Sequence, residues 1–214
     1  MQENKIPLEF TSQVKGYLSE EEGKALFNLV LEINSALPVL EIGSFCGKST
    51  IFLGTACKIR GLTLFTIDHH MGSEEQQPGQ LYFDAELFDA KKGRIDSLPV
   101  LLENIKNTGL ESTVVPMVTR SNVAAQNWAT PLSMVFIDGG HSYDAVLSDF
   151  LCWNTHIIDG GYLVFHDIYP DPSQGGQAPY QVYNKALQSN EFSELPMVGS
   201  LGILKKCSTM MVQQ

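Results

Sequence analysis

Val39-Leu40-Glu41-Ile42-Gly43-Ser44-Phe45-Cys46-Gly47-Lys48-Ser49-Thr50 decides how the rest of the chain is read. Val39 to Ile42 is a short apolar run interrupted by Glu41, the pattern of a buried strand. Gly43 and Gly47 free the backbone for a tight turn and for the close approach of a ligand. Lys48 to Cys57 then carries Ile51, Phe52 and Ala56 on one helical face. Strand, glycine turn and helix N-terminus together form a cradle of nucleotide size. Backbone N–H groups and the positive end of the helix dipole point at an anion there.

The glycines are spaced as E-x-G-x-x-x-G, which is not the G-x-G-x-x-G of dinucleotide-binding folds. Glu41 at the strand end would repel a pyrophosphate and favour a ligand with an ammonium group. A carboxylate on the same ligand suits the helix N-terminus near Ser49. An ordinary strand-to-helix corner with incidental glycines is the alternative reading of this stretch alone.

The 214 residues fit one α/β domain, large enough to bury a core without metal or disulfide staples. With 43% hydrophobic residues the chain reads as globular, and its formal charge of -10 argues against nucleic acid or an anionic membrane as partner. No run of about 18 apolar residues occurs, so no membrane span is expected. Met1-Gln2-Glu3-Asn4-Lys5 lacks the basic start and apolar core of a signal peptide, and a cytoplasmic location is expected. Cys46, Cys57, Cys152 and Cys207 form no C-x-x-C pair and read as free thiols.

Residues 1–15 read as a polar N-terminal arm, and 16–207 as one domain. Ser19 and Glu22 fit a capping box ahead of a helix over 20–35, with Leu26, Leu29, Val30 and Ile33 on its apolar face. A second strand runs from Thr63 to Asp68. Residues 69–96 are too long for a plain connection and turn from acidic to aromatic around Tyr82 and Phe83. They read as a cap-like insertion or substrate loop, with a self-association contact as the alternative. A helix over 97–106 closes at Gly109, and Thr113 to Val118 is a third strand. A short helix follows over 120–128, then a fourth strand from Met134 to Asp138 and a helix over 143–156. Gly160 and Gly161 precede a fifth strand, Tyr162 to Phe165, which runs into His166 and Asp167. After a loop and a helix over 179–188, Gly199-Ser200 links two last strands as a hairpin.

This alternation predicts an α/β fold: a doubly wound, Rossmann-like, mostly parallel seven-stranded sheet with a C-terminal antiparallel hairpin and helices on both faces. Ligands of such sheets bind at the carboxyl ends of the strands. Asp68, Asp138 and Asp167 close three apolar strands there, beside the glycine turn, and a threefold coincidence reads as a site.

The chain resembles the class I S-adenosylmethionine-dependent methyltransferases. V-L-E-I-G-S-F-C-G-K-S is similar to the first motif of catechol O-methyltransferase and its metal-dependent relatives. Gly16-Tyr17-Leu18-Ser19 and Ile137-Asp138-Gly139-Gly140-His141-Ser142-Tyr143-Asp144 resemble a bacterial subfamily that includes macrolide-sugar O-methyltransferases and cephalosporin-hydroxylase-associated proteins. The resemblance spans about residues 16–206. It implies a cofactor, S-adenosylmethionine, whose ammonium, sulfonium and carboxylate match the charges expected at the glycine corner.

The resemblance also implies roles for individual residues. Glu41, Gly43, Ser44, Phe45 and Gly47 fall on the cofactor-binding turn, and Ser49 on a residue that bonds the methionine carboxylate. Asp68 matches the acid that accepts both ribose hydroxyls, with His69 beside it. Ser121 falls where adenine is contacted, and Asp138 is expected both to bind the cofactor and to take part in catalysis. Asp138, His166 and Asp167 match a site for a divalent metal, Mg or Mn, and His141 matches a catalytic base. Relatives carry an acid where this chain has His166, and an imidazole suits magnesium poorly.

The expected activity is methyl transfer to a hydroxyl of a small molecule, a sugar or a phenolic metabolite. The metal would lower the hydroxyl pKa and His141 would take the proton. Two other readings are a catalytically silent relative that binds cofactor or a partner, and a nucleotide-dependent oxidoreductase. His166 motivates the first, and the missing third glycine speaks against the second.

Overall fold

A computed structural model describes residues 5–208, so residues 1–4 of the expected arm lie outside it. Its main sheet holds seven strands. They are β1 (Val39–Ile42), β2 (Leu64–Asp68), β5 (Val114–Val118), β6 (Leu132–Ile137), β7 (Ile157–Phe165), β8 (Phe192–Val198) and β9 (Leu201–Lys206). Their order is β5-β2-β1-β6-β7-β9-β8, and β9 runs antiparallel to both of its neighbours. A separate two-stranded ribbon, β3 (Phe88–Asp89) with β4 (Arg94–Ile95), sits inside the 69–96 segment. The helices are α1 (Leu8–Thr11), α2 (Glu20–Glu32), α3 (Lys48–Arg60), α4 (Leu98–Asn107), α5 (Ser121–Ala125), α6 (Tyr143–Trp153) and α7 (Ala178–Gln188). None of the described helices is long and apolar enough to cross a membrane.

The central strands are apolar on both faces because helices cover both. Met134, Phe136, Tyr162 and Val164 face a core shared with Leu26 and Val30 of α2 and Phe52 and Leu53 of α3. The alternate residues Val135, Ile137, Leu163 and Phe165 face Val146, Phe150 and Trp153 of α6 and Val182 and Tyr183 of α7. Gly23 lets α2 lie directly on α3, since a Cβ there would sit 2.4 Å from the Phe52 ring. Ser19 caps α2 as the sequence predicts: its hydroxyl accepts the Glu22 N–H at 3.2 Å, and Glu22 accepts the Ser19 N–H at 2.9 Å.

Several boundaries differ from expectation. β7 begins at Ile157, and Gly160-Gly161 do not precede the strand but form an irregularity inside it. Gly160 has φ +75°, and a Cβ on Gly161 would lie 2.9 Å from the Ser133 carbonyl oxygen, so the two glycines let β7 swing against β6. α5 is limited to Ser121–Ala125. Val14 is buried against Cys46, Ile51, Leu87 and Ile95, which places the end of the expected arm and the 69–96 segment in one apolar cluster beside α3.

Phe52, 1% exposed beneath Gly23, joins the two helices to the sheet. Phe52→Ala is expected to lower unfolding free energy by about 3–5 kcal/mol. Urea titration checks this; a loss below about 1 kcal/mol would mean that α2 and α3 do not share this core.

Candidate active site

A cavity of about 830 Å³ opens where β1, β2, β6 and β7 end. Its floor depends on one close approach. Gly43 has φ +94°, and a Cβ there would lie 1.9 Å from the Asp138 carbonyl oxygen. The Asp138 N–H donates to the Ile42 carbonyl at 2.9 Å, so the ends of β1 and β6 meet at a position only glycine fills. Ser44 follows with its buried Oγ unpartnered among the described residues, at the cavity wall. Phe45 takes φ +45° and turns its N–H to Asp68 Oδ2 at 2.9 Å. Asp68 Oδ1 accepts the His70 N–H at 2.7 Å. Each carboxylate oxygen keeps acceptor capacity toward the cavity.

His69 also lines the cavity, with Nδ1 accepting the Met71 N–H at 3.0 Å. His70 is 4% exposed and its Nδ1 lies 2.8 Å from Ser97 Oγ. Ser121 lines the far wall, where its hydroxyl accepts the Trp153 indole N–H at 2.7 Å. Asp149 stands beside it, where burial pushes its carboxyl up to about 6 against the opposing hydrogen bond of Ser121.

Two residues of the glycine turn lie away from the cavity. Gly47 turns into α3 with φ +93°, and a Cβ there would strike Leu101 at 2.7 Å. Glu41 is fully buried under α3 and does not line the cavity, at odds with the expected contact with an ammonium group. The alternation of β1 points it the same way as Val39, into the core under α3. Hydroxyls of Ser49, Thr50 and Thr66 bond it at 2.5, 2.6 and 2.6 Å. Burial pushes its carboxyl up to about 7 against those three donors. Ser49 lines the cavity with its hydroxyl proton given to Glu41, so what it offers there is the first turn of α3, whose N–H groups lack helical partners.

The other end of the cavity is a cluster of acids and imidazoles. Asp138, His141 and Asp167 present ligand atoms within 4.8 Å of one another. Asp167 takes φ +57°, an unusual value for a residue with a Cβ, and Tyr169 donates its hydroxyl to Asp167 Oδ1 at 3.0 Å. His141 Nε2 lies 2.9 Å from Asp167 Oδ2 without the alignment of a hydrogen bond. His141 Nδ1 lies 3.0 Å from Glu75 Oε2. Asp167 and, against the effect of burial, Glu75 push the His141 imidazole up to about 9. Burial opposes ionisation of Asp167, yet His141 and His166 hold it below the usual carboxylate range.

His166, expected as a metal ligand, is not one of those three; it lies behind them, with Nδ1 also 3.6 Å from Asp167 Oδ2. Its ring is 5% exposed and turned inward, with Nδ1 2.9 Å from Asp138 Oδ1 and Nε2 3.6 Å from Glu22 Oε2. Burial opposes its charge, but Asp138 and Glu22 outweigh that and push the imidazole up to about 11. Glu22 in turn accepts the Ser200 N–H at 2.7 Å and its hydroxyl at 2.8 Å. Burial opposes its ionisation as well, but His166, Ser19 and Ser200 hold its carboxyl well below the usual range.

Glu22, Glu75, Asp149 and Tyr169 complete the wall. Glu22 had a sufficient local explanation as a capping residue, which hid its second role. Glu75 sat in an acidic run with no periodic pattern, and nothing local distinguishes it from Glu74.

Residues 40–168 match a family model described as a methyltransferase domain, and the chain belongs to that family. The expected class I methyltransferase fold is borne out by solved structures. The O-methyltransferase NovP superposes with a TM-score of 0.68 at 12% identity, over 88% of this chain and 80% of that one. An O-methyltransferase from Bacillus cereus in complex with SAH gives 0.62 at 19% identity, over 94% and 88%. TomG from Streptomyces achromogenes, involved in tomaymycin synthesis and in complex with SAM, gives 0.61 at 17%, over 94% and 95%.

The folded-state pKa of His166 lies above that of a free imidazole, so its stabilising contribution is complete below about pH 6.5 and is lost as pH rises toward about 11. His166→Gln is therefore expected to lower unfolding free energy by about 3 kcal/mol near pH 6, with the gap to the native protein narrowing by pH 10. Denaturant titrations at both pH values check this, and a gap independent of pH would contradict it.

Proposed function

We propose that the protein transfers a methyl group from S-adenosylmethionine to a hydroxyl oxygen of a small-molecule acceptor. The observation that carries the reading is the meeting, in one cavity, of the Gly43 corner with Asp68 at one end and the Asp138–His141–Asp167 cluster at the other. S-adenosylmethionine supplies an activated methyl group on a sulfonium and leaves as S-adenosylhomocysteine. Asp68 accepts the two ribose hydroxyls, and Ser44 Oγ and the first turn of α3 meet the methionyl end. Ser121 and His69 border the adenosine. The acidic lining favours a cationic ligand over a pyrophosphate.

At the other end, His141 takes the acceptor's hydroxyl proton at Nε2 as the oxygen attacks in line with the breaking carbon–sulfur bond. A divalent cation would be held by the carboxylate oxygens of Asp138 and Asp167, donors that suit a hard ion such as Mg or Mn, with His141 beside it kept for the proton. Such an ion supplies positive charge that lowers the pKa of a nearby hydroxyl. Residues 69–96, with Tyr82 at the mouth, and Tyr169 shape the acceptor side. A cavity of about 830 Å³ is of the size that small-molecule ligands occupy, which supports a small-molecule acceptor.

Isothermal titration with S-adenosylhomocysteine tests the reading. The native protein is expected to bind it, and Asp68→Ala to weaken binding by about 30-fold or more through loss of charge-assisted hydrogen bonds. No heat with the native protein would overturn the proposal. For any hydroxylated acceptor that is turned over, the rate is expected to climb from neutral pH toward about 9 as His141 loses its proton. A rate that falls over that range would remove His141 from the role of base.

A further inference from the structure

Glu75 belongs to none of the strand ends that form the site. It stands on the helical turn Glu74–Gln76 within the 69–96 segment, yet its Oε2 reaches His141 Nδ1 at 3.0 Å. The turn is built to hold it there. Ser73 and Gln76 form a capping box at its start. The Gln77 amide donates to the carbonyls of Met71, Gly72 and Ser73 at 3.2, 3.1 and 2.9 Å. The Glu75 carbonyl accepts the Tyr82 N–H at 3.1 Å. The backbone of Glu75 is thus anchored on both sides before its side chain reaches out.

An imidazole whose Nδ1–H is held by a carboxylate has its ring orientation set, and its other nitrogen is directed to the task. Nε2 is that other nitrogen in His141, a residue of the cavity wall; it is buried 2.9 Å from Asp167 Oδ2 and lacks a partner in hydrogen-bonding alignment. We infer that Glu75 is a positioning residue for His141: it accepts the Nδ1–H and so turns Nε2 toward the acceptor hydroxyl. The inference rests on the reading of His141 as the base. It makes the 69–96 segment a working part of the site, because the carboxylate that orients the base comes from it.

The contact is half-exposed, with 46% of the Glu75 side chain accessible, and ion pairs in such places contribute little to stability. Orientation and stability are therefore separable by experiment. Protein labelled with ¹⁵N in histidine is compared by NMR with and without S-adenosylhomocysteine, and His141→Asn assigns the signal. The native protein is expected to show a slowly exchanging, hydrogen-bonded Nδ1–H for His141. Glu75→Ala is expected to abolish it while the melting temperature moves by no more than about 2 °C. Glu75→Gln, which keeps an acceptor oxygen, is expected to restore a weaker signal, and Glu74→Gln to leave it unchanged. An undiminished Nδ1–H signal in Glu75→Ala would overturn the inference. Failure of S-adenosylhomocysteine to bind would instead strike the functional reading, while the spectra of the free protein would still decide the Glu75 contact.

Discussion

Carboxylates gathered at the end of a sheet repel one another and lose hydration, so they stay ionised only when cations or donors meet them. Here Glu22, Glu75, Asp138 and Asp167 converge on the two imidazoles of His141 and His166. His166 is fixed between Glu22 and Asp138 and ties the α2 N-terminus and the β8–β9 turn to the strand ends. His141 lies on the cavity side, between Glu75 and Asp167. Even with both rings protonated, the acids outnumber the cations. The cluster therefore favours a positively charged guest, and a sulfonium or a divalent ion each matches that demand.

The backbone makes this crowding possible. Gly43 brings β1 against the Asp138 carbonyl, closer than any side chain permits. Phe45 and Asp167 both hold positive φ at the cavity, and residues with a Cβ persist in that region only where their surroundings hold them. Phe45 gains a bond from its N–H to Asp68, and Asp167 gains contacts with Tyr169, His141 and His166. Local strain is thus tied to the aim of the two acids that mark opposite ends of the cavity.

The succession of strands along the chain and the acids at their ends were legible because they depend on short-range pattern: apolar runs, glycine turns and a charged residue where each run stops. The same pattern misplaced the start of β7, since Gly160-Gly161 reads as punctuation although it forms an irregularity within a paired strand. It placed Glu41 at the ligand because E-x-G looks like a strand end, whereas the alternation of β1 sends that side chain under α3 to three hydroxyls. From the chain alone His166 is expected at a metal and His141 as a base, on resemblance and without sight of what surrounds either ring. Their difference comes from Glu22 and Glu75, partners 144 and 66 positions away, one on a helix and one on an irregular segment.

The central claim is that one ligand spans the cavity from Asp68 to the Asp138–His141–Asp167 cluster. A crystal structure of the S-adenosylhomocysteine complex tests it most directly. The account predicts ribose hydroxyls on the Asp68 carboxylate, the amino-acid end beside Ser44 and the first turn of α3, and the sulfur facing Asp138. Density for the nucleoside elsewhere, or with Asp68 turned away from the ribose, would contradict it.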